Sequence, residues 1–310
     1  MGKTSKSPSE VLKKAYEVGQ GALEPYSHSR SPQKFTQPQL FACLVLKAFF
    51  QVDYRGIERI LLESPQWCEL IGLEEVPHFT TLQKAEKRFL DQNTTEKLLV
   101  ETIKAALTVG QMKRIIELAA IDGSGFEARH VSTYFVRRRA KYNRDIFQDT
   151  EYSRFPKLGV LCDCSNHMTL ALTVGRGPSP DIKHFGLLLR LALSKISIDT
   201  LLADAGYDAE RSHVFARETC DVQSIIPPLV GRPTEALPTG KYRRLMVAHF
   251  DQDDCRDDYG QRWQVETLFS MLKRLLGSAL TARSYLSQCR ELRLKVIALN
   301  IMILLLFFYL

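Results

Sequence analysis

The spacing of apolar residues along this chain changes character near residue 115. Upstream, apolar side chains recur every three or four positions, which is the pattern of helices that bury one face. Downstream, short apolar runs bounded by Gly, Asn or Asp alternate with helical stretches, as expected of buried strands between helices. We therefore predict an N-terminal all-helical region over residues 1–114 and an α/β region over residues 115–310.

The N-terminal helical pattern begins only after residues 1–35, which are polar and rich in Ser and Pro toward their end. Thr36 is placed to cap the first helix, with Pro38 in its first turn. A second helix is predicted to begin at Asp53 or Tyr54.

A later helix of this region carries a cluster of cations. We expect a capping threonine, Thr80 or Thr81, at its start and a basic face along its length. Such a face suits either a solvated amphipathic helix or a helix that lies in a DNA groove. Its cations are Lys84, Lys87 and Arg88.

In the α/β region, two apolar runs separated by Ser165-Asn166 predict a β-hairpin. The whole region has the predicted order strand, strand, strand, helix, strand, helix, strand and a final helix. This is the ribonuclease-H-like order, a mixed sheet flanked by helices, in which the first and fourth strands are neighbours. After the first strand, the predicted elements are Phe155–Cys164, His167–Val174, Asp181–Leu193, Leu201–Asp204, Ala209–Glu218 and Ser224–Pro227.

Two of these strands are predicted to end in an aspartate that glycine soon follows. Asp122 ends the run Ile-Ile-Glu-Leu-Ala-Ala-Ile and precedes Gly-Ser-Gly, and Asp204 ends Thr-Leu-Leu-Ala and precedes Ala-Gly. Either aspartate alone could serve a turn or cap a helix. Because the first and fourth strands are neighbours in this fold, we expect the two carboxylates to lie together at one edge of the sheet.

A third acid, Glu266, lies in a segment with a helical pattern. At about 100° per residue, Tyr259, Arg262, Glu266 and Lys273 fall on one helix face. The opposite stripe is apolar and should face the core; it comprises Val265, Leu268, Phe269, Leu272, Leu275 and Leu276. Three converging carboxylates repel one another unless a divalent cation lies between them, and oxygen ligands without nearby His or Cys favour Mg²⁺ or Mn²⁺ over zinc.

The order of these acids and the Tyr-x2-Arg-x3-Glu-x6-Lys segment resemble the DDE transposases of prokaryotic insertion sequences. The resemblance is to the insertion sequence 4/5-like superfamily, which carries a Y-R-E-K signature, and it covers roughly Ile115 to Leu310. It implies a DNA transposase that carries out metal-dependent cleavage and strand transfer at the ends of its element. It also implies that residues 1–114 bind those ends.

The resemblance assigns roles residue by residue. Two Mg²⁺ ions, or Mn²⁺ ions, would be held by Asp122, Asp204 and Glu266. The DNA of the element's ends would be contacted by Tyr259, Arg262 and Lys273. The implied partners are the terminal inverted repeats and the target DNA, with the protein a homodimer on DNA because two ends must be joined.

The composition is compatible with a DNA-binding protein. The 42 Lys and Arg residues against 35 Asp and Glu leave a net charge of +7, a mild excess that suits nucleic acid without requiring it. Three cations between the first two strands, Arg137, Arg138 and Arg139, are expected to contact the DNA backbone or to form a solvated loop. The seven cysteines lack paired spacing, which indicates reduced thiols and a cytoplasmic protein. The resemblance to DNA transposases implies that it is associated with the nucleoid.

Neither end of the chain predicts a membrane protein. The N-terminus lacks the apolar core of a signal peptide. The apolar run Val296–Leu310 is interrupted by Asn300 and is shorter than the roughly 20 residues of a bilayer span. We therefore predict a buried terminal helix, with a membrane anchor as the alternative.

Two other functions remain open. The first is a metal-dependent nuclease of the same ribonuclease-H-like fold. The second is an inactive or domesticated transposase-derived protein that only binds DNA, although the presence of all three acids argues against it.

Overall fold

The computed structural model describes residues 4–28, 30, 32–128, 155–229, 237–252 and 255–306. Its strands are β1 (Ile115–Gly125), β2 (Glu127–Ala128), β3 (Phe155–Asp163), β4 (Thr169–Gly177), β5 (Ser197–Leu202), β6 (Gln223–Ile225) and β7 (Ala279–Leu280). Its helices are α1 (Pro8–Ala22), α2 (Gln37–Phe49), α3 (Tyr54–Leu62), α4 (Pro65–Leu70), α5 (Phe79–Phe89), α6 (Gln92–Thr108), α7 (Phe185–Leu193), α8 (Glu210–Val214), α9 (Lys241–Asp251), α10 (Arg256–Gly260), α11 (Trp263–Leu276) and α12 (Tyr285–Leu304).

Five of the strands form one mixed sheet in the order β4-β3-β1-β5-β6. Strand β3 is antiparallel to β1 and β4, whereas β5 is parallel to β1 and β6. Helices flank this sheet, and α1 to α6 precede it along the chain. The predicted ribonuclease-H-like fold with an N-terminal helical region is therefore confirmed. The first and fourth predicted strands correspond to β1 and β5, and they are neighbours as predicted.

The prediction for residues 1–35 missed helix α1. This helix buries Val11, Leu12, Ala15 and Val18, at helical spacing. A Cβ atom added to Gly19 would lie 3.1 Å from both Phe41 and the Cα atom of Pro38, so α1 and α2 are in close contact there. The pattern was hard to recognise because small residues, Ala and Gly, take positions that large apolar side chains usually hold.

The predicted helix starts are partly confirmed. Thr36 caps α2, since its side chain accepts from the amide of Gln39, whose side chain in turn accepts from the amide of Thr36. Asp53 caps α3 through the amide of Gly56. The expected threonine cap of α5 is wrong: His78 is the cap, and Thr80 already lies in the first helical turn, where its amide donates to His78.

The predicted hairpin exists, but its connection is longer than two residues. Strands β3 and β4 pair antiparallel, and residues 164–168 connect them. The carboxylate of Asp163 accepts hydrogen bonds from the amide of Ser165 at 2.8 Å and from the side chain of Asn166 at 2.7 Å. His167 adopts a φ of 65°, which reverses the chain.

The C-terminal helix α12 connects the helical region to the sheet. It is buried over almost its whole length and contacts α2, α6 and β4. Asn300 is fully buried; it accepts from the amide of Thr169 at 2.9 Å and donates to the carbonyl of Thr169 at 3.0 Å. Since β4 is an edge strand, Asn300 satisfies backbone groups that no neighbouring strand pairs.

The described part of the C-terminal apolar run, up to Leu304, forms part of a packed helix, as predicted, and residues 307–310 lie outside the described residues. Within the described parts of the chain, no helix is both long and apolar enough to cross a bilayer. Side chains of α1 to α6, the sheet and α12 contribute to one hydrophobic core. The division into a DNA-end-binding region, 1–114, and a catalytic region, 115–310, stays a prediction.

Candidate active site

Asp122 and Asp204 lie at the same level of two neighbouring strands. The last residues paired between the parallel strands β1 and β5 are Ala120 and Leu202, and each aspartate follows two positions later. The pKa of Asp122 is raised to about 6, mainly by burial and also by the negative charges of Asp204 and Asp181. The amide of Gly123 and the cation of Arg262 oppose this shift. The two carboxylates are therefore close enough to repel each other.

Neither aspartate is simply the end of a strand. Strand β1 continues to Gly125, with Asp122 opposite Val160 of β3, so the predicted turn at Asp122 is wrong. Only the pairing with β5 stops earlier, at Ala120 and Leu202. Asp204 does cap a short 3₁₀ turn, Ala205–Tyr207, by accepting from the amide of Gly206 at 2.9 Å.

The segment containing Tyr259 and Glu266 is not the single helix that its periodicity predicted. Tyr259 lies in α10, Arg262 caps α11, and a tight turn separates the two helices. The amides of Gln261 and Arg262 each donate to the carbonyl three residues earlier, at 2.9 Å. This turn nearly keeps the angular phase of a helix, which explains why the sequence pattern continues through it.

Arg262 links the acids of this site. It forms an ion pair with Glu266, and its guanidinium lies 3.9 Å from the carboxylate of Asp122. Burial raises the pKa of the Tyr259 hydroxyl; Arg262 lowers it, whereas Asp204 and Glu266 raise it. Arg262 thus lies beside Asp122 and Glu266, and Tyr259 lies near Arg262 and Asp204.

Lys273 of α11 contacts the face of β1 that carries Asp122, two residues further along the strand. Its ammonium donates to Ser124 at 2.8 Å and lies 5.1 Å from the centre of the Phe126 ring. Ser124 follows Asp122 by two residues, so both side chains point to the same side of β1. The predicted apolar stripe of α11 is buried, apart from the partly buried Leu275.

The family model of the transposase DDE domain matches residues 113–301. The chain belongs to the transposase DDE domain family. The match begins just before β1 and ends within α12, so it includes Asp122, Asp204 and Glu266. The domain implies a transposase that acts on DNA with divalent metal ions.

Asp181 is a fourth acid near the DDE site, by which we mean Asp122, Asp204 and Glu266. No motif in the sequence marked Asp181 as a site residue. A Cβ atom added to Gly123 would lie 2.2 Å from the Asp181 carboxylate, which therefore lies directly against β1 at the residue after Asp122. Its charge contributes to the raised pKa of Asp122. Lys157 pairs with Asp181 at 2.7 Å. Burial raises the pKa of the Tyr207 hydroxyl, and Asp181, Asp122 and Asp204 raise it further. The glycine after Asp122 is the one sequence signal that pointed to such a close neighbour.

Within the described residues, no three His, Cys, Asp or Glu side chains are arranged so that they could hold one metal ion. The carboxylate of Glu266 pairs with Arg262 instead. The donor set is nevertheless suitable for a hard divalent cation: the groups are carboxylates, and Asp122 and Asp204 repel each other.

Two acids that follow Asp204 form hydrogen bonds with the start of α9. The fully buried Asp208 accepts two hydrogen bonds from Arg243, at 2.9 and 2.7 Å. Glu210 accepts from the amides of Tyr242 and Arg243 at 3.0 and 3.1 Å, at the start of α9. The turn containing Asp204 is thereby connected to the chain that leads into α10 and α11.

The remaining predicted DNA contacts fall into two groups, on α5 and between the first two predicted strands. Lys84, Lys87 and Arg88 are exposed on α5, which agrees with both of the readings given above. Arg137, Arg138 and Arg139 lie outside the described residues, so their predicted role is not examined by the structure.

Proposed function

We propose that this protein is the transposase of an insertion sequence of the 4/5-like superfamily, with the Y-R-E-K signature. It would cleave DNA at the ends of its element and join those ends to target DNA. The observation that carries the proposal is the placement of Asp122 and Asp204 at one level of adjacent strands, with Arg262 between Asp122 and Glu266. The match to the transposase DDE domain supports it independently.

Asp122, Asp204 and Glu266 are proposed to hold two Mg²⁺ ions, with Mn²⁺ as a substitute. When bound, such ions lower the pKa of the attacking water or hydroxyl and stabilise the leaving oxygen. The carboxylates supply hard oxygen donors, which suit these ions better than zinc. The raised pKa of Asp122 supports a cation here, because a positive charge would relieve its repulsion from Asp204 and Asp181.

The cations and the phenol are proposed to hold the DNA. When Glu266 turns away from Arg262, the guanidinium becomes available for a phosphate of the DNA, which it can bind through two hydrogen bonds. Lys273, fixed by Ser124 and Phe126, adds a second positive charge on the same face. Tyr259 places a hydroxyl beside Arg262. These three residues would orient the scissile phosphate over the acids and offset the charge that develops there.

The remaining contacts follow from the need to bind two ends and a target. Lys84, Lys87 and Arg88 on α5 are proposed to contact the terminal inverted repeats, as are Arg137, Arg138 and Arg139. Two copies of the chain would act together, each on one end. The protein would then be found with the nucleoid in the cytoplasm.

A direct test uses the full chain and a linear DNA that carries the sequences flanking its gene. We expect cleavage at matching inverted repeats in Mg²⁺, no cleavage with a chelator, and joining of the cut ends to a plasmid target. Cleavage without joining would favour the ribonuclease-H-like nuclease. Binding to the ends without cleavage in either metal would favour the transposase-derived DNA-binding protein.

A further inference from the structure

A cavity of about 280 Å³ lies between α5 of the helical region and the start of α12. Three cations line it: Lys87 on one wall, and Arg283 and Arg290 on the other. The hydroxyl groups of Ser284 and Ser287 lie between them. The cavity is therefore built from two parts of the chain that are far apart in sequence.

Among the described residues, the acids near this cavity are already paired with other groups. Its acid, Glu86, is already satisfied: it accepts from the hydroxyl of Tyr54 at 2.6 Å and pairs with Lys47 at 3.3 Å. The neighbouring Glu291 pairs with Lys295 and accepts from the amide of Thr281. Lys87, Arg283 and Arg290 form no ion pair with any residue in the described ranges.

The first turn of α12 adds donors to the same cavity. Ser284 caps this long helix, accepting from the amide of Ser287 at 3.3 Å, and its hydroxyl lies 2.9 Å from the Ser287 hydroxyl. The start of a helix favours anions because its dipole and its free amides point outward. Guanidinium groups, an ammonium and hydroxyls around a helix start are the groups that bind phosphate oxygens.

A short strand pair connects the segment before this cavity to the segment after β1. Strand β7 lies three residues before Arg283 and pairs with β2, which follows β1 after one residue. On the other side, Lys84 and Arg88 extend the exposed positive charge along α5. The cations of the cavity and those of α5 therefore form one positively charged surface beside this strand pair.

We propose that this cavity binds the phosphate backbone of duplex DNA beside the cleaved end, with Arg283 and Arg290 as the principal contacts. The proposal rests on the proposed function for the identity of its ligand. Phosphate contacts of this kind carry no sequence information, so the cavity sets the position of the DNA and not the choice of sequence. It gives the start of α12 a role in binding, in addition to its packing role.

The test measures the affinity of the full chain for a duplex of the element's end at several salt concentrations. The variant combines Arg283→Ala with Arg290→Ala, and Arg114→Ala is the matched control, because Arg114 is exposed at the opposite end of β1 from Asp122. We expect the double variant to lower the slope of log affinity against log salt by about two units. The control should leave the slope unchanged, and replacing both arginines by lysine should largely restore it.

A second variant tests the other wall. Lys87→Ala should lower the slope by about one unit without changing the melting temperature, since the side chain is exposed. A double variant with the slope of Arg114→Ala would overturn the proposal. If that result is obtained and the wild-type protein still cleaves the ends, only the role of the cavity is wrong and the proposed function stands. If the DNA binding of the wild-type protein does not depend on salt, both the role of the cavity and the proposed function are wrong.

Discussion

Asp122 and Asp204 each lie two residues beyond the paired residues Ala120 and Leu202 of adjacent parallel strands. Their carboxylates are held together by the register of the sheet, although 82 positions separate them in sequence. Parallel pairing fixes this level, because a shift by one residue would turn one side chain to the opposite face. The sheet therefore supplies two acids of the site, and the segment from Tyr259 to Lys273 supplies the third together with its cations.

We expect Arg262 and Lys273 to act on DNA rather than on folding. Arg262→Ala and Lys273→Ala should each weaken end binding or strand transfer and reduce the salt slope of binding by about one unit, since each would lose a phosphate contact. Their melting temperatures should stay close to that of the wild type. Binding titrations and strand-transfer assays on end DNA measure these effects.

Arg274→Ala is the matched control, because Arg274 is adjacent to Lys273 on α11 but exposed. It should leave the affinity for end DNA, the salt dependence of that affinity and the rate of strand transfer unchanged. If Arg262→Ala and Lys273→Ala behave like this control, the proposed phosphate contacts are wrong.

The Asp208–Arg243 pair is expected to stabilise the fold. Arg243→Ala leaves the carboxylate of Asp208 buried without its principal partner, which typically costs about 3–5 kcal/mol. Urea unfolding measures this loss. Arg244→Ala is the control: this neighbour is exposed, and its guanidinium donates to the carbonyl of Pro238. Equal stability of the two variants would show that the pair does not anchor α9.

Asn300 is expected to stabilise the contact between α12 and the edge strand β4. Asn300→Ala and Asn300→Leu should each lower the free energy of unfolding by about 2–4 kcal/mol, because both leave the amide and carbonyl of Thr169 without partners. Leucine keeps the volume of the side chain, so a similar loss in both variants assigns the effect to hydrogen bonding. A stable leucine variant would instead indicate that only the volume matters.

Much of the fold follows from local patterns in the sequence. The order of strands and helices predicted the adjacency of β1 and β5. The Thr36 cap and a helix start at Asp53 or Tyr54 were predicted from residue types beside a helical pattern. These features depend on neighbours within a few positions, which a sequence displays directly.

Features that depend on distant partners were not predicted. Asn300 interrupts an apolar run in the sequence, and its partner Thr169 lies 131 positions away, so its role becomes visible only in three dimensions. The ion pair of Arg262 with Glu266 was missed because helical spacing shows that two side chains share a face, not which contacts they make. Asp181 approaches Asp122 through the close contact at Gly123, which only the folded chain displays.

The central claim is that Asp122, Asp204 and Glu266 carry out metal-dependent cleavage of DNA ends. Asp204→Asn tests it most directly, because it removes one anionic oxygen donor while keeping the size of the side chain. Asp199→Asn is the matched control, since Asp199 is exposed on the same strand, β5.

Cleavage in Mg²⁺ and binding should be measured on the same end DNA for both variants. We expect Asp204→Asn to abolish cleavage but to leave DNA binding almost intact. Asp199→Asn should match the wild type in both cleavage and binding. Cleavage by Asp204→Asn at the wild-type rate would contradict the account.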